Sequence, residues 1–550
     1  EPVHRALGDV HATLELLSRC WVRLLELPDE LRAPLDSIMA KSPEGYRRLF
    51  GALPPPTKTQ KPSWLAMPEN IHLHGEGLDA LTLDKPENGT IQFVEEPFTP
   101  GFLSQVLVNA VKSGERCAIA VKNLHSTLRT MYVPDGVHVL HPPYVMLDNA
   151  SIDTFAKQDV FTADEATLAV KIAWHEPSMR SQIPIHGNER AVWNGKLVCT
   201  TNSADYRKQF DSEEKVFLLD HQQFLTILAD TNHPGHALFS SGIHAVIDDA
   251  SMLEDTATKA YGQYCPLNDL RAAAEGNDAL TKFIDLLQIW VEKTRQTHDV
   301  HYISSGNLGT PETRGLREQL EELLEGGTIP PESLLHSYLA DLRTILQPEL
   351  LAGRICWIEQ RQDGNQFVQS VPEYIAPLLS KYLYDKCATT LLVPPGSAKS
   401  LAEILPEDKK TQVVPILECE AQLQIACAEE ETIASILDNP PDGKTVLLMG
   451  SRGKIEDVFV RYTASMEARG ETLICQNWGG GMGRMQAEFA AAEGKVVWVI
   501  TPWSFEIAEL PLNSIDHLIM ETLPFDHPSH TVLSKRAEHY RNAFNEYTLA

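Results

Sequence analysis

The sequence has no run approaching the roughly 20 consecutive apolar residues that a membrane-spanning helix requires. It also lacks the charged-then-apolar opening of a secretory signal. Its nine cysteines are scattered and form no CxxC pair. That spacing argues against a disulfide framework or a zinc ribbon and for reduced thiols in a cytoplasmic protein. Positive charge is scarce: 47 Lys and Arg face 75 Asp and Glu, a formal net charge of −28. Proteins that grip nucleic acid do so largely by neutralising phosphates, so this balance excludes strong, non-specific DNA binding over a broad basic surface. A local basic groove stays open. Low-complexity tracts and short internal repeats are absent too, which argues against linker-like and solenoid chains.

What is present is ordinary globular composition, 43% hydrophobic and 22% charged over 550 residues. A chain of this length exceeds one hydrophobic core and predicts two to four domains. It opens at Glu1 without an initiator methionine and stops at Ala550 with no closing signal, which reads as a fragment of a longer polypeptide.

The opening stretch HRALGDVHATLELLSRCWVRLL has apolar residues three and four apart and predicts an amphipathic helix. Residues 26–64, ending in the Pro- and Lys-rich LPPPTKTQKPSW, read as a linker. Then GTIQFV predicts a strand, followed by a loop, a helix over Phe102 to Lys112 and a second strand, RCAIAV. Strand, loop, helix, strand is the pattern of a parallel α/β sheet. VFLL and HAVID add strands, Asn268 to Leu346 is Leu-rich and helical, and strands return at ICWIEQ and TTLLVPP. A further α/β set follows in KTVLLMG, ETLICQ, KVVWVI and DHLIM.

Several segments carry a family resemblance. ITPWSFEIAELPLNSIDHLIMETLPFDHPS is similar to a run that reads roughly GTDSFWEGVDLPG…LIIDKLPFPxPS in DinG-type helicases, relatives of the XPD helicases of superfamily 2. KTVLLMGSRGKIEDV resembles the family's TLVLFTSYRALxEV, with Ser451 and Arg452 in register, and KVFLLDHQQFLTILAD resembles its ITNHSLLLxD run, keeping His221. The order is correct along essentially the whole chain.

The resemblance implies an α/β chain with two RecA-like parallel-sheet helicase domains and an inserted helical, arch-like domain. The implied divisions are an exonuclease-like tail over 1–25 and a linker over 26–64. The first helicase domain takes 65–262, with an iron–sulfur-type insert at about 139–211. The helical insert takes 263–346, the rest of the first helicase domain 347–400, and the second helicase domain 401–550. In many family members a DEDDh exonuclease precedes the helicase and ends in His, four residues, Asp. His4 and Asp9 stand at that spacing; by resemblance His4 is a general base and Asp9 a ligand of a metal pair. The remaining acidic ligands fall outside this sequence, and a chance His and Asp on a capped helix is the competing reading.

The nucleotide motifs are eroded. A P-loop wraps phosphates in backbone N–H groups, pairs them with a Lys and holds magnesium with Ser or Thr. The family's VEAGTGTGKS corresponds to VEEPFTPGFL here, which leaves Thr99 and Gly101 as the remnant. Pro97 and Pro100 remove backbone donors. The DEAH motif is replaced by Asp248-Asp249-Ala250-Ser251. Asp248 retains a candidate cation ligand and Asp249 a shortened stand-in for the glutamate; two acids facing solvent at a strand end is the competing reading. The coupling motif TSATL appears as Pro394-Pro395-Gly396-Ser397-Ala398, and the Gly-Val-Asp motif as Ile507-Ala508-Glu509. The expected iron–sulfur region holds Cys199 alone, and one thiolate cannot hold a four-cysteine cluster.

The run NWGGGMGRM follows a strand, and its backbone N–H groups with Arg484 are a candidate phosphate or DNA contact. Three functions compete. The first is a pseudo-helicase of DNA metabolism or repair that binds DNA or scaffolds an exonuclease domain in the same polypeptide. The others are an active ATP-dependent helicase with divergent motifs, and a 3′–5′ exonuclease whose catalytic part lies elsewhere. ATP and Mg2+ are the family's cofactors and are expected to go unused here. Single-stranded or forked DNA is the implied partner, and no membrane is.

Overall fold

The computed structural model describes residues 6–51, 62, 83–87, 89–95, 101–240, 242–274, 277–327, 329–331, 333–361, 364–403, 409–414, 433–506, 508, 510, 514–523, 530–539 and 541. The chain divides into two compact units, 1–418 and 419–550.

In the first unit, strands β1 (Thr90–Glu95), β2 (Cys117–Val121), β3 (Val137–Val139), β4 (Val216–Asp220) and β5 (His244–Ile247) alternate with helices. Four strands follow in an insert, β6 (Gln263–Pro266), β7 (Val300–Tyr302), β8 (Arg354–Gln360) and β9 (Gln366–Pro372), before β10 (Ala388–Val393) and β11 (Lys410–Val414). The first five and last two strands form one seven-stranded sheet in the order β11-β1-β10-β5-β2-β4-β3. Every pairing in it is parallel. Its central strands are apolar on both faces because helices cover both sides, as parallel sheets require. One face packs Phe93, Ala118, Phe217, Leu219 and Ala245 against Phe224, Leu228 and Phe239. The other packs Val94, Ile119, Leu218, Val246 and Leu392 against Phe102, Val106 and Leu107. The expected parallel α/β architecture is therefore present, with β11 extending the sheet past residue 400.

The sheet also carries a buried polar crossing. Thr390 Oγ1 lies 2.8 Å from His244 Nε2 and donates to Gln92 Oε1 at 3.0 Å, linking β5, β10 and β1.

The insert differs from the all-helical expectation. Helices Leu267–Ala273, Asp278–Arg295, Pro311–Glu325 and Leu334–Ile345 are there, but they pack on an antiparallel sheet in the order β6-β9-β8-β7. The segment ICWIEQ is a strand of this sheet, not of the parallel one. Alternation puts Cys356 and Ile358 into a core with Leu280, Phe283, Ile284, Leu287 and Val291, the apolar stripe of the long helix.

Residues 26–50 are not a linker. Helices Asp29–Ala40 and Glu44–Phe50 occupy them, and Leu27, Leu31, Leu35 and Met39 bury one face against Phe155, Phe161, Leu168 and Trp193. Trp174 Nε1 donates to Leu31 O at 2.9 Å. The four-residue spacing of those apolar side chains is the cause. The segment at 139–211 thus has a hydrophobic core, its helix Ala163–His175 opening on a Thr162–Glu165 capping box.

In the second unit, β12 (Lys444–Leu448), β13 (Thr472–Cys475), β14 (Val496–Ile500) and β15 (His517–Met520) form a parallel sheet in the order β13-β14-β12-β15. Helices Arg452–Ala468 and Met482–Ala491 supply the crossovers. Val446, Trp498 and Ile500 pack with Phe489 on one face, and Leu447, Val497 and Val499 with Ile455 and Met466 on the other.

Candidate functional site

In a parallel sheet every strand ends on the same edge, which is where open α/β sheets place their sites. Registers level Phe93 with Leu391, Leu391 with Ile247, and Ile247 with Ala120. The C-terminal ends of β1, β10, β5 and β2 therefore lie side by side, and Asp248 and Asp249 follow directly on β5 and residues 394–398 on β10.

After β1, Thr99 lies outside the described residues. Gly101 precedes helix Phe102–Ser113 with an ordinary right-handed φ of −95° and no side-chain cap. Phe102 stands where the family places its lysine and is only 3% exposed, its ring in the core under the sheet. Leu103 packs against the same cluster. Neither residue offers a cation or a hydroxyl to a phosphate.

After β5, the Asp248 N–H donates to Ala120 O at 2.9 Å. Asp249 has φ 45° and ψ 54°, in the left-handed region that few residues other than glycine adopt. Its Oδ1 accepts Ser251 Oγ at 2.6 Å, and its Oδ2 lies 3.9 Å from Lys122 Nζ at the end of β2. His221, at the end of β4, is 1% exposed, its ring buried beside the Asp248 and Ala120 backbone. Burial pushes its pKa down to about 4, although the Asp248 backbone and the Asp249 charge favour the protonated ring. Beside it Asp220 accepts Gln223 N at 2.7 Å and Tyr144 Oη at 3.4 Å, and burial raises its pKa. The turn after β10 is closed on itself, Ser397 Oγ donating to Pro394 O at 2.6 Å, with Gly396 at φ 80°.

The exonuclease remnant is not assembled among the described residues. His4 lies outside them, and Asp9 falls in helix Ala6–Leu25 with its side chain outside them. No group of three His, Cys, Asp or Glu side chains is placed to share a metal ion among the described residues. Cys199 is buried, and burial with Asp148 and Asp205 nearby pushes its thiol up to about 12. No helix among the described residues is long and apolar enough to cross a membrane.

The second sheet presents a different edge. Ser451 caps helix Arg452–Ala468, its side chain accepting Lys454 N at 3.3 Å, and Arg452 is exposed. Lys454 Nζ pairs with Glu521 Oε1 at 2.6 Å. Past β13, Gln476 joins two loops: its Oε1 accepts Thr501 N at 2.9 Å and Thr501 Oγ1 at 3.0 Å, and its Nε2 donates to Ser504 Oγ at 2.8 Å. Next comes Asn477 at φ 72°, then Trp478, half-exposed and stacked on Phe459 with centroids 4.8 Å apart and planes 12° off parallel. Arg484 is exposed in the first turn of helix Met482–Ala491, and its stem lies against Gly480, where a Cβ would meet Arg484 Cδ at 2.9 Å. Trp503, after β14, is also more than half exposed. The sequence reading missed Trp478, Phe459, Trp503 and Gln476; a tryptophan directly after a strand was the available signal. Of the Gly-Val-Asp position only Ala508 is described; Ile507 and Glu509 lie outside the described residues.

Two α/β units, each built on a parallel sheet of the RecA-like kind, and a mixed α/β insert in the first make up the described chain. The sequence matches no protein-family model, and no curated protein matches it. Among solved structures it is similar to an XPD helicase at 10% identity, covering 84% of this chain and 87% of that one with a TM-score of 0.43. An XPD in its apo form gives 10% identity, coverages of 83% and 86%, and a TM-score of 0.45. An Xpd protein of S. tokodaii gives 13%, 82% of both chains, and 0.41. Identities this low assign no residue a role.

Proposed function

We propose that this chain is a pseudo-helicase: a helicase-fold protein of DNA metabolism that binds nucleic acid without hydrolysing ATP. The observation that carries the reading is the burial of Phe102 in the core at the position of the phosphate-binding lysine. Phosphoryl transfer is catalysed chiefly by positioned positive charge, and a phenyl ring facing the core supplies none. Asp249, the stand-in for the catalytic acid, has its Oδ2 3.9 Å from Lys122 Nζ. The residues present therefore do not fit a bound MgATP, and no hydrolytic step is routed through them. Cys199, buried and with its thiol pushed up, likewise does not fit an iron–sulfur cluster.

Binding is assigned to the edge of the second sheet that holds Ser451, Arg452 and Arg484, with single-stranded or forked DNA as the ligand. In the same reading the protein is cytoplasmic, and its helix Ala6–Leu25, with Val10, Leu14 and Leu17 half-exposed, continues into an exonuclease domain that this unit scaffolds.

The test is nucleotide binding by calorimetry and DNA-stimulated phosphate release, with Asp248→Ala as control. No binding and no release are expected. Turnover that Asp248→Ala abolishes would reveal a rebuilt phosphate site and overturn the reading.

A further inference from the structure

Trp478 is an expensive residue to leave where it is. Half of its large apolar surface faces solvent, and the residue before it, Asn477, holds a positive φ that costs on the order of 1 kcal/mol. Trp478 is not among the buried residues of either core cluster of this unit. The geometry is nonetheless well fixed. The Trp478 N–H donates to Cys475 O at 3.1 Å and the Gly479 N–H to the same oxygen at 2.9 Å. A Cβ at Gly479 would crowd Met485 Cγ at 3.1 Å and Ile474 Cγ2 at 3.3 Å. Phe459, on the neighbouring helix, backs the indole nearly coplanar and is itself packed on Ile455, Val458 and Met466. One face of the indole is thus occupied and the other is presented.

We propose that the Trp478–Phe459 stack is a platform for an unpaired nucleobase, so that the second unit takes single-stranded nucleic acid in preference to duplex. The inference rests on the nucleic-acid-binding reading above and adds the side chains that would contact an unpaired base. An aromatic face accepts any base, because every base has a π-face, while a base inside a duplex has none to offer. Arg484 stands on the rim with its stem laid over Gly480, placed for the phosphate attached to a stacked base. Gly479, Gly480 and Gly481 put no side chain between strand and backbone. With a net charge of −28 the chain is poorly suited to long runs of phosphate contacts, so stacking carries most of the affinity. Binding should then depend weakly on salt, with a log–log slope of about −0.7 to −1.4 for one or two phosphate contacts on a single strand.

The experiment is fluorescence anisotropy of the full chain with a labelled 20-nucleotide oligothymidine and a duplex of equal length, at two salt concentrations. Trp478→Ala should weaken single-strand binding by about five- to hundredfold and leave duplex binding unchanged. Trp478→Phe should retain most of it, and Trp503→Phe all of it. Arg484→Ala should make the salt slope shallower by roughly 0.7. Far-UV circular dichroism melts of each variant check that the fold is intact. Oligothymidine bound equally well by Trp478→Ala, or duplex bound as tightly as single strand, would overturn the platform and leave nucleic-acid binding standing. No binding of either nucleic acid would overturn both, and would point to a protein partner for the exposed indole.

Discussion

Lys122 and Asp249, from the ends of adjacent strands, face each other with Nζ 3.9 Å from Oδ2. Both are about one-third exposed, and such pairs contribute at most about 1 kcal/mol. Lys122→Ala and Asp249→Asn should each shift the urea midpoint by less than that equivalent. On the proposed pseudo-helicase reading, neither should change the response to MgATP. A calorimetric MgATP signal in the parent chain that Asp249→Asn removes would contradict this.

Stability should fall in mild acid. Burial holds His141, His221, His233 and His244 at about 4, against an ordinary value of 6.5. The unfolded chain therefore takes up these protons first. The stability they contribute is full above about pH 6.5 and is lost as pH falls toward 4, at up to about 1.4 kcal/mol per pH unit for each proton. Asp341 works in the opposite sense: burial raises it to about 6, so its native carboxyl is protonated between pH 6 and 4 and adds stability there. Asp220 and Asp269, also raised by burial, act in the same sense as Asp341, and the four histidines outnumber the three carboxyls. Urea midpoints followed by tryptophan fluorescence should drop from pH 7.5 to pH 5, and a flat profile would contradict the histidine burial.

The helix Asp29–Ala40 should be part of the cooperative fold. Leu35 is 2% exposed in the core it shares with Phe155 and Trp193, and Leu→Ala at such a site costs about 2–5 kcal/mol. Leu35→Ala should lower the melting temperature of the first unit and speed proteolysis after residue 40. A melt indistinguishable from the parent would show the helix to be dispensable.

Gln476 should matter to the second unit twice over. Gln476→Ala removes three hydrogen bonds that hold the turns after β13 and β14 together and leaves the Thr501 N–H buried without its acceptor. The expected loss is about 1–3 kcal/mol, read as a lower urea midpoint. Oligothymidine affinity should fall with it, since the same turn carries Trp478.

Strands with strong apolar runs were legible in the sequence: β1, β2, β4, β5 and all four strands of the second sheet fall within a residue or so of GTIQFV, RCAIAV, VFLL, HAVID and their counterparts. Partnership was not. RICWIEQ is a strand in either reading, and nothing in its alternation says that it pairs antiparallel with β9. The edge strand KTQVV went unread because it is nearly all exposed and carries no apolar run. Residues 27–39 were legible but overlooked, their Leu27, Leu31, Leu35, Met39 spacing hidden by the proline-rich stretch that follows. At the candidate site the missing lysine was plain from the letters. That Phe102 turns inward, that Asp249 lies beside Lys122, and that Trp478 stacks on Phe459 depended on contacts between segments distant in sequence.

β1 lies between β10 and β11, strands that follow it by some 300 residues. On a ribosome adding roughly 5–20 residues per second, β1 waits tens of seconds for the neighbours that cover its edges. During that interval Ile91 and Phe93, both 1% exposed in the finished fold, have no partner strand. The insert and β2 to β5 can condense earlier, so this sheet closes only when β10 and β11 come in on either side of β1. A truncation anywhere between residues 300 and 388 would leave β1 without either neighbour, an open edge of the kind that favours aggregation.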